Sequence, residues 1–321
     1  MKFNRRQILE GSLGLASFFI GCGNNRSNNY RDAGLTAPAD VLNPDSRQNL
    51  SGDAESIPDT GLPGYPSASG YPSGKVIIHG GNDNGPEIFR DTIYFTRNDL
   101  NAPVVICPTA WPNDHGESDL TANDIAAARY MMDILGFTNV TVLHTRNRNV
   151  ANTEAFVEPL RSAYGVWFEG GRQPRIVDAY LNTLFHDEVR KVLDRGGIVG
   201  GTSAGASVMS SFLIRGQTGE AGHIVIGDHT EGFGFLRNVG IDQHVAQRGR
   251  ENDLSQLVQL HPDHLGIGLD ERTAAILDGD IMNVVGDGQV RIHYQALLLS
   301  GLPPILLNSG DSYNIATLKQ F

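Results

Sequence analysis

The sequence predicts an α/β domain, a mostly parallel sheet sandwiched by helices, and three features carry that prediction. Short β-branched runs alternate with stretches of helical spacing after Gly74; a Gly-rich segment stands where a strand would hand over to a helix; and the C-terminal part breaks into short apolar runs separated by Gly and Asp. The five runs are Val76-Ile77-Ile78, Val104-Val105-Ile106, Val140-Thr141-Val142-Leu143, Val166-Trp167-Phe168 and Ile198-Val199. Runs without a polar alternation suit strands covered on both faces, as in a parallel sheet. Between them, Ile125, Ala128, Met132 and Leu135 in the stretch 123–135, and Tyr180, Leu181, Leu184, Val189 and Val192 in the stretch 176–193, lie near helical spacing and predict crossover helices. Near the C-terminus, 274–277, 281–285 and 290–294 are separated by Asp278-Gly279 and Gly286-Asp287-Gly288, the turn signals of an antiparallel meander.

The N-terminus reads differently. Met1 to Arg6 is basic, with the pair Arg5-Arg6, and the mostly apolar stretch Ile8 to Gly21 follows, so residues 1–22 are expected to be an export signal of twin-arginine type. Phe19-Ile20-Gly21-Cys22 resembles the lipobox of bacterial lipoproteins, although Phe19 stands where the pattern usually has Leu; Cys22 is the candidate lipidation site. Residues 23–74 are rich in Asn, Ser, Asp, Pro and Gly, with too few apolar side chains to offset the entropy of ordering, and are expected to be a disordered tether. That leaves 75–321 as the folded domain, exported and anchored to a membrane through lipid.

With 321 residues and 40% of them hydrophobic, one large core is within reach. A net charge of −11 argues against nucleic acid as a partner, because phosphate binding needs a basic surface. Two cysteines, Cys22 and Cys107, leave no disulfide framework, and Cys107 in an apolar run is expected to be a buried structural thiol.

The stretch from Gly196 to Met209 is the most informative. Within it, Gly201-Thr202-Ser203-Ala204-Gly205 satisfies G-x-S-x-G between a β-type run and a helix-compatible run, the setting of a nucleophile elbow. A sharp strand-to-helix turn strains the serine and demands small neighbours, while the helix that follows favours developing negative charge. By contrast, the turn His79-Gly80-Gly81-Asn82 lacks dinucleotide spacing and reads as a strand end.

Four motifs together resemble the cyanophycinase-like serine peptidase family, whose relatives include aspartyl dipeptidases on a fold similar to class I glutamine amidotransferases. They are Gly201 to Ala206, Gly170-Gly171-Arg172-Gln173, Asp242-Gln243-His244 with Arg248 and Arg250, and Gly266 to Glu271, in the family's order over about residues 75 to 300. The resemblance implies Ser203 as nucleophile, His244 as general base and Glu271 as the acid that orients it, with Asp270 beside it as the alternative acid. Such a triad is chemically sensible, since a serine hydroxyl needs an imidazole to take its proton and a carboxylate to fix the tautomer. The order Ser, His, Glu also differs from that of α/β-hydrolases. The amides of Gly171 and Ala204 are implied as oxyanion donors, and Gln173, Asp242, Gln243, Arg248 and Arg250 as the substrate pocket, where an arginine fork can grip a carboxylate. Two positions depart from the family: Asp253 stands where a further Arg is usual, and Arg172 where Asp or Asn is commoner. Asp253 therefore either alters specificity or faces solvent.

The expectation is an exported serine exopeptidase hydrolysing peptide or isopeptide bonds of aspartyl units, with cyanophycin (multi-L-arginyl-poly-L-aspartate) as one candidate substrate and a homodimer as one admissible assembly. No cofactor and no metal are expected. The rivals are a catalytically idle tethered binding module and a related hydrolase with a different substrate. His261-Pro262-Asp263-His264 does not match zinc-ligand spacing and reads as a loop near the active site; Asp228-His229 and Asn113-Asp114-His115 read as isolated polar loops; Trp111 and Trp167 read as packing residues, with a place lining the cleft as the alternative for Trp111 in its Pro-flanked loop.

Overall fold

The computed structural model describes residues 73–111, 119–217 and 224–321. The export signal, Cys22, nearly all of the tether and Asn113-Asp114-His115 lie outside the described residues.

Among the described residues, two sheets form the domain. The larger has nine strands, β1 (Lys75–His79), β2 (Val104–Cys107), β3 (Val140–Val142), β4 (Gly165–Phe168), β5 (Ile198–Thr202), β10 (Thr273–Asp278), β11 (Ile281–Gly286), β14 (Ser312–Asn314) and β15 (Lys319–Gln320), in the order β15-β14-β11-β10-β1-β5-β4-β2-β3. The smaller has six, β6 (Ser210–Gly216), β7 (His229–Glu231), β8 (Leu236–Asp242), β9 (Leu265–Leu269), β12 (Val290–His293) and β13 (Ile305–Leu307), in the order β13-β12-β9-β8-β6-β7. The helices are α1 (Gly85–Arg97), α2 (Ala122–Ile134), α3 (Arg148–Ala151), α4 (Glu154–Ser162), α5 (Gln173–Tyr180), α6 (Leu184–Asp194), α7 (Ala204–Ser207), α8 (Leu254–Leu260) and α9 (Gln295–Leu299).

All five predicted runs are strands, and β3-β2-β4-β5-β1 pair in parallel. Their side chains alternate between two cores. Ile77, Val104, Ile106, Trp167 and Ile198 meet Phe89 and Ile93 of α1 and Ala128 and Met132 of α2. Val76, Ile78, Val105, Cys107, Val166, Phe168 and Val199 meet the opposite core, which holds α4, α6 and the smaller sheet. Each such side chain, fully buried, contributes about 1.5–3 kcal/mol, which is why these runs carry no polar alternation. Cys107 is buried within this core, and Trp167 packs on Phe89 with ring centroids 5.2 Å apart.

Three expectations need amendment. The stretch 176–193 is two helices, α5 and α6, because the chain turns at Leu181 to Thr183, where the Thr183 side chain caps α6 by accepting the His186 amide. The antiparallel meander exists as β10-β11-β14-β15, but the run 290–294 is not its third strand: β12 pairs with β9 and β13 in the smaller sheet. Helix α1 and the smaller sheet were not anticipated. His261 to His264 also sits elsewhere than expected, at the start of β9, whereas the strand ends described below lie at its far end; the two imidazoles pack with Phe212. His229 opens β7, and its Nε2 lies 2.9 Å from Asp178 Oδ1, so it is not an isolated loop residue.

Candidate active site

The site lies where the C-terminal ends of strands from both sheets meet. Ser203 connects β5 to α7 with φ 51° and ψ −113°, a conformation that costs a non-glycine residue about 1–3 kcal/mol. Its surroundings hold it there. The Ser203 amide donates to the carbonyl of His79 at 2.9 Å, and the Ser203 carbonyl accepts the amides of Ala206 and Ser207, each at 3.0 Å. The flanking glycines are steric necessities: a Cβ on Gly201 would lie 2.5 Å from the carbonyl carbon of Gly205, and one on Gly205 would lie 2.2 Å from the Phe168 oxygen.

His244 and Glu271 come from the smaller sheet. Strands β8 and β9 run parallel, with Asp242 opposite Gly268, so each delivers the residue two positions past its end to the same edge. His244 has φ 56° and is 8% exposed. Its Nδ1–H donates to Glu271 Oε1 at 2.7 Å, which leaves Nε2 to accept the Ser203 hydroxyl at 2.8 Å. Burial lowers the imidazole pKa, Arg248 lowers it further, Glu271 raises it and Arg250 lowers it, with a net position below the ordinary histidine value. The neutral, proton-accepting form is thereby favoured near pH 7.

The geometry also separates the two neighbouring acids. Asp270 is buried and engaged elsewhere: its Oδ1 accepts Arg291 Nη1 at 2.5 Å and the Ala246 amide at 3.0 Å, and its Oδ2 accepts the Gln289 amide at 3.0 Å. Glu271 alone of the pair faces the imidazole. Its Oε2 accepts Asn82 Nδ2 and its amide donates to Gln247 Oε1, both at 2.9 Å.

The loop after β4 comes against the serine, for a Cβ built on Gly170 would lie 3.2 Å from Ser203 Cβ and 3.8 Å from Oγ. Gly171 follows in this loop, and Ala204 opens α7, where a first-turn amide has no carbonyl within its own helix. Glu169, just before the loop, is buried beside Trp111 and Trp167, and burial pushes its carboxyl up to about 7.

The predicted pocket residues divide. Asp242 is fully buried and accepts Arg215 Nε at 2.9 Å, Arg215 Nη2 at 2.8 Å and Arg250 Nη1 at 3.4 Å. It thus holds two guanidiniums, that of the expected pocket residue Arg250 among them. Gln173 is buried at the start of α5, its amide 3.5 Å from the Ile214 carbonyl. Gln243 is buried with an Oε1 that accepts no hydrogen bond among the described residues. Arg250 is pulled by burial down to about 10 and stays cationic at neutral pH, while the Arg248 side chain is exposed beside Glu271. Asp253, expected either to face solvent or to alter specificity, pairs with Arg215 Nη2 at 2.5 Å and is 37% exposed. Arg215, Asn82 and Gln247 escaped the sequence reading. Of these, only Asn82 had a local signal, standing in the Gly-rich turn after β1.

Comparison with known proteins identifies the family of the chain. The model of peptidase family S51 matches residues 77–285. A cyanophycinase from Nostoc sp. is 32% identical over 225 residues, which span 68% of this chain and 72% of that protein. A cyanophycinase from Trichormus variabilis matches to the same extent, 32% over 225 residues. The crystal structure of a peptidase from an acI-B1 Actinobacterium superposes with a TM-score of 0.56 at 26% identity, covering 77% of this chain and 98% of that one.

Proposed function

The chain belongs to peptidase family S51 and is a serine-type peptidase, and on that premise we propose that Ser203, His244 and Glu271 cleave peptide or isopeptide bonds of aspartyl units through an acyl-enzyme. The observation that carries this reading is the unbroken relay from Ser203 Oγ to His244 Nε2 at 2.8 Å and from His244 Nδ1 to Glu271 Oε1 at 2.7 Å. As Ser203 Oγ attacks the carbonyl carbon, Nε2 takes its proton and then delivers it to the leaving nitrogen; water repeats the cycle on the ester. Glu271 keeps the tautomer and stabilises the imidazolium. The amides of Gly171 and Ala204 receive the oxyanion, each contributing about 3 kcal/mol to the transition state. An idle binding module would need a broken relay, and a related hydrolase built on cysteine would need a thiol where Ser203 stands.

Arg248 and Arg250 give the pocket its substrate class. Two cations beside the relay favour a substrate carboxylate, such as an aspartyl α-carboxylate left free in an isopeptide. Cyanophycin is the leading candidate because the curated relatives are cyanophycinases. Release of soluble dipeptide from insoluble cyanophycin, run beside a panel of isoaspartyl dipeptides and a Ser203→Ala control, decides it. Cleavage of either substrate by wild type, lost in the control, is expected; cleavage of neither, or equal cleavage by both proteins, would sink the reading.

The same proposal places the enzyme outside the cytoplasm, anchored by lipid on Cys22. Cys22→Ser should then move the protein from the membrane fraction to the soluble one, and an unchanged distribution would contradict the anchor.

A further inference from the structure

The turn after β1, which in sequence is only a Gly-rich strand end, touches each part of the relay in succession. The His79 carbonyl accepts the Ser203 amide at 2.9 Å, the Gly80 carbonyl accepts the His244 amide at 2.9 Å, and the Gly81 carbonyl accepts the amide of Arg272, next to Glu271, at 2.9 Å. The fourth residue, Asn82, donates from its side chain to Glu271 Oε2, also at 2.9 Å. Four consecutive residues, His79 at the end of β1 and the three that follow it, therefore carry the registration of three segments that come from two sheets.

The turn is itself held rigidly. His79 is fully buried; its Nδ1 lies 2.8 Å from Thr202 Oγ1, and its Nε2 lies 2.9 Å from Asn84 Oδ1, whose amide reaches the Arg272 carbonyl at 3.3 Å. Gly81 has φ 106°, and a Cβ there would fall 2.1 Å from His244 Cε1, so the imidazole rests directly on the turn. Asn82 has φ 69°, a left-handed conformation that asparagine tolerates better than most residues, and its Oδ1 accepts the Asp83 amide at 2.9 Å, which fixes the side-chain amide.

We infer that Asn82 is a positioning residue of the hydrolytic centre: by engaging Oε2 it fixes the rotation of the Glu271 carboxylate, so that Oε1 is presented to His244. The inference rests on the assignment of Ser203, His244 and Glu271 made above. A carboxylate on a flexible side chain can turn away from its imidazole, and a single donor on the outer oxygen removes that freedom at little cost in charge. The groups facing this relay are Arg248 and Arg250 on the loop of His244, His79 from the end of β1, and the Asp83–Arg272–Asp287 cluster flanking Asn82.

Two variants and two readouts test it. Asn82→Gly keeps the left-handed backbone and removes the donor; Asn82→Asp keeps the shape and replaces the donor by an acceptor of like charge. For Asn82→Gly, kcat on the cleaved aspartyl substrate should fall about tenfold with KM within twofold, the pattern of an interaction used in the transition state. For Asn82→Asp, the added negative charge favours imidazolium, so the acid limb of kcat/KM should move up by about one pH unit. The second readout is the NMR titration of the His244 imidazole in 15N-histidine-labelled protein, identified by its loss in His244→Asn. It should rise by a similar amount in Asn82→Asp. This titration needs no substrate, so it still decides the role of Asn82 if wild type cleaves nothing and the peptidase assignment fails. An unmoved imidazole titration in Asn82→Asp overturns the inference, as does wild-type kcat in Asn82→Gly, or a fall in Tm with kcat and KM worsened together.

Discussion

The two sheets contribute to one site by opposite means. The larger sheet supplies Ser203 through steric exclusion: Gly201, Gly205 and Phe168 are packed so closely that the backbone has a single way to turn. The smaller sheet supplies His244 and Glu271 through register: β8 and β9 are parallel neighbours, and residues two past each end become partners at 2.7 Å. The first device is local and unforgiving. The second is distributed, held by Gln247 on the Glu271 amide and by the turn after β1. A defect in the packing around the elbow should therefore appear as lost fold, and a defect in the contacts that hold His244 and Glu271 as lost chemistry with the fold kept.

Gly205→Ala gives the sharpest form of that contrast. A methyl 2.2 Å from the Phe168 oxygen and 2.7 Å from its carbonyl carbon meets backbone that cannot swing aside, and forced displacement should cost about 3 kcal/mol or more. A large fall in Tm, with Ser203 no longer reactive, is expected by calorimetry and activity assay; a variant of wild-type stability would break the comparison. Glu271→Gln should do the reverse. It leaves the partner at its distance but offers the wrong charge, so kcat should fall about 10³- to 10⁴-fold while Tm stays close to wild type. A variant within tenfold of wild-type kcat would return the acid's role to another residue.

The same contrast explains how far the sequence could be read. The four inner parallel strands were legible because each is buried on both faces and so announces itself without alternation, the edge strand β3 was legible through its β-branched residues although Thr141 and Val142 are only half-buried, and Ser203 was legible because its steric demands fall on immediate neighbours. The smaller sheet left no such trace. Residues 290–294 look like the third strand of a meander, since a turn precedes them, and only the pairing of β12 with β9 and β13 sends them to the other sheet. Asp242 carries the chemistry of a substrate ligand in sequence, yet Arg215, 27 residues away in the chain, consumes its carboxylate. Asp253 likewise owes its role to Arg215. Asn82 was visible only as part of a turn, because its partner Glu271 lies 189 residues further on.

A smaller effect sharpens the comparison on the smaller-sheet side. Burial and the nearby Arg248 hold the His244 pKa below the ordinary value of about 6.5, so the active, neutral base persists to lower pH and the acid limb of kcat/KM should lie below that value. Arg248→Ala removes a cation that disfavours imidazolium. The limb should therefore move upward in pH, by less than a unit because the side chain is partly solvated and screened. A limb that stays in place would detach Arg248 from the electrostatics of the relay.

The central claim is that a serine strained by one sheet is activated by a histidine and a carboxylate from the other. Its most direct measurement is covalent labelling of the intact chain with a fluorophosphonate, with the adduct mapped by mass spectrometry in wild type, Ser203→Ala, His244→Ala and Glu271→Gln. The account predicts a single adduct on Ser203, absent in Ser203→Ala and slowed by orders of magnitude in the other two while each remains folded. An adduct on a different residue, or labelling of Ser203 at the wild-type rate without His244, would contradict it.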